Sequence, residues 1–148
     1  MLKVGLWKEA DQETLAVMLK AVGREKERLL NIKSIENFPC KDLRTIDQLW
    51  VKYSEGRFGF SVQKRIWESV GKDYGKFGCS VGWCIQKGMF RMLNSWPYNQ
   101  LTFNTTAPHG HLPAAAVAVM AADLDLAPMF GSSLRVLRLF SRVQTCKL

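Results

Sequence analysis

His109 and His111 flank Gly110 in the run Ala107-Pro108-His109-Gly110-His111-Leu112-Pro113. With Cys79 and Cys84 they are the residues of this chain whose types could hold a metal. A structural zinc site needs four tetrahedral nitrogen or sulfur donors, usually as Cys-x2–4-Cys with His-x3–5-His. Here Cys-x4-Cys sits at the edge of that range and His-x-His falls outside it, so no metal site is expected. His111 reads instead as packing a tight turn with Pro108, Gly110 and Pro113. No Ser/His/Asp or Cys/His arrangement, phosphate-binding loop or GxGxxG motif is present, so no catalytic residue is assigned and the chain is not expected to be an enzyme.

Stronger chemistry lies in the rings. Residues 78–113 lose helical periodicity, yet carry Trp83, Phe90, Trp96, Tyr98 and Phe103. An irregular stretch of that length inside a compact domain usually serves a function. Its rings could wall an apolar cleft for a flat ligand, or simply peg the loop to the helices. A flat ligand with carboxylates at its edge would need cations at the rim. Arg57, beside Phe58-Gly59-Phe60, and Arg44 are the candidates, whereas Lys52 and Lys64 suit a solvated helix face. The net charge of +8 favours anionic partners without choosing among them. Arg135, Arg138 and Arg142 fall at helical spacing near the end. The stripe reads as the wet face of a packed helix, with at most a peripheral membrane contact. No helix-turn-helix, zinc-finger or RNA-recognition signature supports specific nucleic-acid binding.

The elements that must position these residues are helical. Residues 7–22 read as a helix that Gly23 stops, and residues 29–38 as a short half-apolar piece ended by Pro39. Residues 41–53 carry the stripe Leu43, Ile46, Leu49, Trp50 and Tyr53. Ser61 is expected to cap a helix reaching Val70, and residues 72–77 to form one short helix more. Residues 114–127 are alanine-rich and helix-prone, with Pro113 at their first turn. The length of 148 residues suggests one domain, 1–148. The four cysteines, Cys40, Cys79, Cys84 and Cys146, show no CxxC, so reduced thiols in a cytoplasm-like compartment are expected. The longest apolar run, residues 112–122, is too short for a span of about 20 residues.

The run Phe38-Pro39-Cys40-Lys41-Asp42-Leu43-Arg44-Thr45-Ile46-Asp47-Gln48-Leu49-Trp50 is followed by Gly56-Arg57-Phe58-Gly59-Phe60-Ser61-Val62-Gln63-Lys64-Arg65-Ile66-Trp67. Together they resemble the genomes-uncoupled family, porphyrin-binding regulators of magnesium chelatase in oxygenic phototrophs. Trp7-Lys8-Glu9-Ala10-Asp11-Gln12-Glu13-Thr14, Val81-Gly82-Trp83 and the Gly-His-Leu-Pro turn fit in the same order. The resemblance covers residues 5–113.

It implies an all-α domain shaped like a cupped hand, whose apolar palm holds protoporphyrin IX or magnesium protoporphyrin IX. Ile32, Ile35 and Phe38 would line one side, and Trp96, Leu101 and Phe103 the other; Phe58 and Phe60, next to Arg57, are expected among the ligand-binding residues of the cleft from their chemistry. Magnesium chelatase, through its large subunit, would be the partner, and chlorophyll biosynthesis the process. The alanine-rich stretch after Pro113 departs from the family's polar helix. Residues 114–148 form a divergent C-terminal segment, whose ending Leu139-Phe140-Ser141-Arg142-Val143-Gln144-Thr145-Cys146 instead resembles a cyanobacterial side branch in which the module stands alone or follows signalling domains. A second expectation is therefore a protein-interaction or sensory module with a signalling partner. The resemblance implies a cyanobacterial cytoplasmic protein, at most peripheral to the thylakoid membrane.

Overall fold

The computed structural model describes residues 1–87, 90–92, 98–117 and 131–148. It is a helical structure: α1 (Trp7–Ala21), α2 (Ile32–Glu36), α3 (Cys40–Tyr53), α4 (Phe60–Ser69), α5 (Tyr74–Ser80) and a C-terminal helix (Gly131–Thr145). Single 3-10 turns occupy Leu2–Val4 and Tyr98–Gln100. The long stretch expected to be irregular contains a small antiparallel hairpin, β1 (Ile85–Lys87) with β2 (Phe90–Met92), in which Gln86 faces Arg91. Three-residue strands are too short to show a period in sequence, which is why the pattern looked structureless. The alanine-rich helix opens as expected over residues 115–117, and its continuation lies outside the described residues.

Each helix follows from its apolar stripe and its stops. In α3, Leu43, Ile46 and Trp50 are buried, whereas Leu49 stays largely exposed on the rim of a groove. Glu55 and Gly56 then take positive φ to turn the chain. Ser61 does not cap α4. The helix starts one residue earlier, at Phe60, and Asp47 of α3 accepts the Ser61 backbone N–H at 2.8 Å. A carboxylate from a neighbouring helix thus satisfies a donor at the helix start that a local cap would otherwise serve. Gly59 makes this approach possible: a Cβ there would stand 2.8 Å from Asp47 Oδ1, at φ +132°.

The core runs from Trp7 to Cys146. Trp7 and Trp50 enclose Phe58, which meets both edge-on. At the other end Phe140 of the C-terminal helix packs on Trp67 and Phe77, and Phe77 meets Trp83 edge-on. Offset and edge-to-face ring pairs of this kind add to burial because ring edges and faces carry opposite partial charge. The C-terminal helix lies against α2 and α4.

The expectation of reduced thiols is corrected. Cys40 and Cys146 form a disulfide with Cα atoms 5.3 Å apart, and Cys79 and Cys84 form a second at 4.7 Å. The first joins residues 106 positions apart, a proximity created by the fold that spacing alone cannot show.

Candidate functional site

The Gly-His-Leu-Pro turn is the most heavily hydrogen-bonded part of the structure to which the motifs pointed. Gln63 is fully buried on α4, and its Nε2 donates to the carbonyls of Gly110 (3.0 Å) and Pro113 (2.9 Å). The Gly59 N–H donates to the Leu112 carbonyl, and the Gly110 N–H to the Arg57 carbonyl. Trp83 Nε1 donates to the His111 carbonyl at 3.0 Å. Gly110 sits at φ +76°, where a Cβ would lie 2.8 Å from Ile66. The aromatic turn and the Gly-His-Leu-Pro turn are therefore one interlocked unit, with Pro108 against Gly82.

His111 is buried within that unit. Its Nδ1 lies 2.6 Å from the Val81 carbonyl, which requires Nδ1 to carry the proton. Nε2 is then an acceptor and takes the Thr102 N–H at 3.2 Å. Burial holds its pKa below the ordinary imidazole value, and the Val81 bond partly offsets this. The ring thus ties α5 to the Leu101–Phe103 segment in the neutral form, as a turn-packing residue. Among the described residues no group of three or more His, Cys, Asp or Glu side chains could hold a metal ion.

The aromatic loop is tied to α1 by a contact that composition did not reveal. Asp11 is fully buried; its carboxylate accepts the Tyr98 hydroxyl at 2.6 Å and the N–H groups of Ala114 (2.6 Å) and Ala115 (3.0 Å). Burial raises its pKa, and those three donors pull it back. Burial and the neighbouring Asp11 charge push the Tyr98 phenol upward. Tyr98 stacks edge-on with Phe103, over which Lys8 Nζ stands at 5.7 Å from the ring centre. One carboxylate therefore caps the helix after Pro113 and latches the loop at the same time. The signal was present: Trp7, Asp11, Thr14 and Met18 occupy one buried helical stripe, and a charge inside such a stripe needs partners.

The remaining expected residues fall as follows. Ile35 and Phe38 are almost wholly buried, Leu101 is buried, and Ile32 and Phe103 are half-buried. Trp96 lies outside the described residues. Phe58 and Phe60 have no exposed surface, so in this structure they support the site from the core and present no face to a ligand. Arg57 directs Nη1 to the Ala107 carbonyl at 2.9 Å, and Arg44 directs Nη2 to the Cys146 carbonyl at 2.6 Å. A separate apolar groove of about 360 Å³ lies between the N-terminal turn, α1 and α3, lined by Leu2, Ala10, Val17, Leu49, Trp50 and Tyr53 among others.

Comparison with known proteins agrees with the motif run. A family model described as GUN4-like matches residues 1–124. The chain is 33% identical over 119 residues to a protein of Arabidopsis thaliana named "Tetrapyrrole-binding protein, chloroplastic"; the match covers 72% of this chain and 43% of that one. It is 39% identical over 95 residues to a Ycf53-like protein of Synechocystis, covering 64% of this chain and 39% of the other. The chain thus spans less than half the length of the curated relatives it matches. The structure aligns with ligand-free GUN4 of Arabidopsis thaliana at a TM-score of 0.71 and 26% identity, over 95% of this chain and 89% of that one. Against GUN4 of Chlamydomonas reinhardtii the TM-score is 0.70 at 27% identity, over 95% and 82% of the two chains.

Proposed function

The chain belongs to the GUN4-like family, and from that premise we propose that it is a non-catalytic tetrapyrrole-binding protein that takes protoporphyrin IX or magnesium protoporphyrin IX. The observation that carries the reading is the anchored aromatic loop. Tyr98 and Phe103 are fixed to α1 through Asp11 and Lys8, and His111 fixes the backbone between them. A flat macrocycle gains most from rings held in place before it arrives, because the ordering entropy is already spent. The proposed cleft has Ile32, Ile35 and Phe38 on the α2 side and Trp96, Leu101 and Phe103 on the loop side. Ile32 and Phe103 supply the exposed edges.

Arg44 and Arg57 are proposed for the ligand's propionates, through the guanidinium nitrogens not turned to their carbonyls. Phe58 and Phe60 hold the Arg57 turn from beneath. The loaded protein would regulate magnesium chelatase through its large subunit, within chlorophyll biosynthesis in a cyanobacterial cytoplasm. Among the described residues no helix is long and apolar enough to cross a membrane. A contact at the thylakoid surface would be peripheral.

Deuteroporphyrin titrated into the folded chain tests this through quenching of tryptophan fluorescence. Saturable quenching at micromolar ligand, weakened by Trp96→Ala and Phe103→Ala, is expected. Absence of quenching at tens of micromolar ligand would remove the reading. A second reading, a protein-interaction or sensory module, is favoured by residues 114–117, which are alanine and valine where the family the chain resembles has a polar helix. It predicts capture of a signalling partner without pigment.

A further inference from the structure

We propose that the Cys40–Cys146 pair is a reversible redox site, opened by a protein dithiol, whose state sets how firmly the α2 side of the cleft is held. The part concerning ligand rests on the tetrapyrrole reading above; the part concerning the helix does not.

The pair sits where three elements meet. Cys40 is the first residue of α3, two positions after Phe38, and Cys146 follows the last turn of the C-terminal helix. Around the disulfide Phe38, Phe140, Val143 and Cys146 itself belong to the buried apolar core, and polar ties add to that packing. Arg44 Nη2 donates to the Cys146 carbonyl, and Arg142 Nε donates to the Phe38 carbonyl at 2.9 Å. Arg138 pairs with Glu36 of α2 at 3.2 Å, with both side chains nearly half exposed. Exposed ion pairs of that kind contribute little. The covalent bond adds to this packing by fixing the end of the helix to the start of α3, and α2 lies against the same helix, so opening the bond is expected to loosen both.

Chemistry supports reversibility. Cys146 is buried and Cys40 only half-buried, so Cys40 is the half of the pair nearer to solvent and to an incoming thiolate. Attack on Cys40 Sγ forms a mixed disulfide and expels the Cys146 thiolate, which takes up a proton. The second thiol of the dithiol then attacks its own half of the mixed disulfide and releases Cys40 as a thiol. Two electrons and two protons pass from the dithiol to the protein, and the dithiol leaves as a disulfide. The Arg44 guanidinium is held on the backbone carbonyl of Cys146, the cysteine whose thiolate departs. The pair also ties residues beyond 124, where the family match ends, to the body of the family fold. In a reducing compartment a disulfide of this kind is more often a regulatory element than a structural one.

Hydrogen exchange on the full chain decides the matter, comparing the air-oxidised protein with the same protein after dithiothreitol. Alkylation and mass measurement count the thiols in each state. Reduction is expected to speed exchange by about an order of magnitude or more in Gly131–Thr145 and Ile32–Glu36, leaving α1 unchanged. A Cys79→Ser/Cys84→Ser variant should keep the response. A Cys40→Ser/Cys146→Ser variant, checked as folded by circular dichroism, should show the reduced pattern and no response to dithiol. Equal exchange in the two states, release of the Cys40 and Cys146 thiols only in denaturant, or a response surviving in the Cys40→Ser/Cys146→Ser variant would each overturn the proposal. Deuteroporphyrin should bind several-fold more tightly to the oxidised chain, and equal affinity in the two states would sever the link to the cleft. Binding in neither state would end the tetrapyrrole reading, while the exchange result would still decide the redox site.

Discussion

The Gly-His-Leu-Pro unit and the C-terminal helix are both packed on α4, yet they are held by opposite means. The unit is fixed by interior hydrogen bonds: Gln63 to two carbonyls, His111 between Val81 and Thr102, Trp83 to His111. The C-terminal helix is fixed by rings and apolar side chains along its middle, with a disulfide and arginine-to-carbonyl bonds at its end. A buried polar network tolerates little change, because any member left unpaired bears its full desolvation cost. An apolar seam accepts many residues of suitable size. The first region therefore carries a recognisable motif, and the second is free to diverge.

Breaking the network should cost most. Gly110→Ala forces a side chain into positive φ and against Ile66 and Val81, and is expected to remove roughly 3 kcal/mol or more of stability in urea unfolding. Gln63→Ala strands the carbonyls of Gly110 and Pro113 and should cost roughly 2–4 kcal/mol, equally in oxidised and reduced protein. Cys146→Ser should cost about 2–4 kcal/mol against the oxidised chain and far less when both are compared under dithiol. That redox dependence would separate the two regions cleanly, and its absence would show that the staple carries no weight.

The smaller effects sharpen the same contrast. The folded pKa of His111 is depressed, so its neutral form favours the native state. Its contribution is complete above the unfolded value of about 6.5 and is lost as pH falls from there through the lower folded value. Thermal melts should show this decline, and a His111→Gln variant should show less of it. Arg138→Ala removes only an exposed ion pair and should shift stability by less than about 1 kcal/mol.

The helices and the family were legible because stripes such as Leu43, Ile46 and Trp50 and runs such as Phe58-Gly59-Phe60 are local in sequence. The polar interior was half legible. Asp11, Asp47 and Gln63 each sit inside an apolar stripe at helical spacing, which announces a buried partner without naming it. The partners, Tyr98, Ser61 and Gly110, come from other elements and emerge only with the fold. The Cys40–Cys146 bond and the tie from Arg44 to Cys146 were illegible, being contacts across more than a hundred residues. Arg57 was singled out for its charge, whereas what the structure shows is its bond to the Ala107 carbonyl.

Hydrogen exchange of the oxidised chain with and without saturating deuteroporphyrin tests the central claim most directly, since it reports both binding and place. Protection confined to residues 32–38 and 98–103, with the Gly-His-Leu-Pro unit unchanged, is the predicted result. No protection anywhere in folded protein, or protection only along the groove between α1 and α3, would contradict the account.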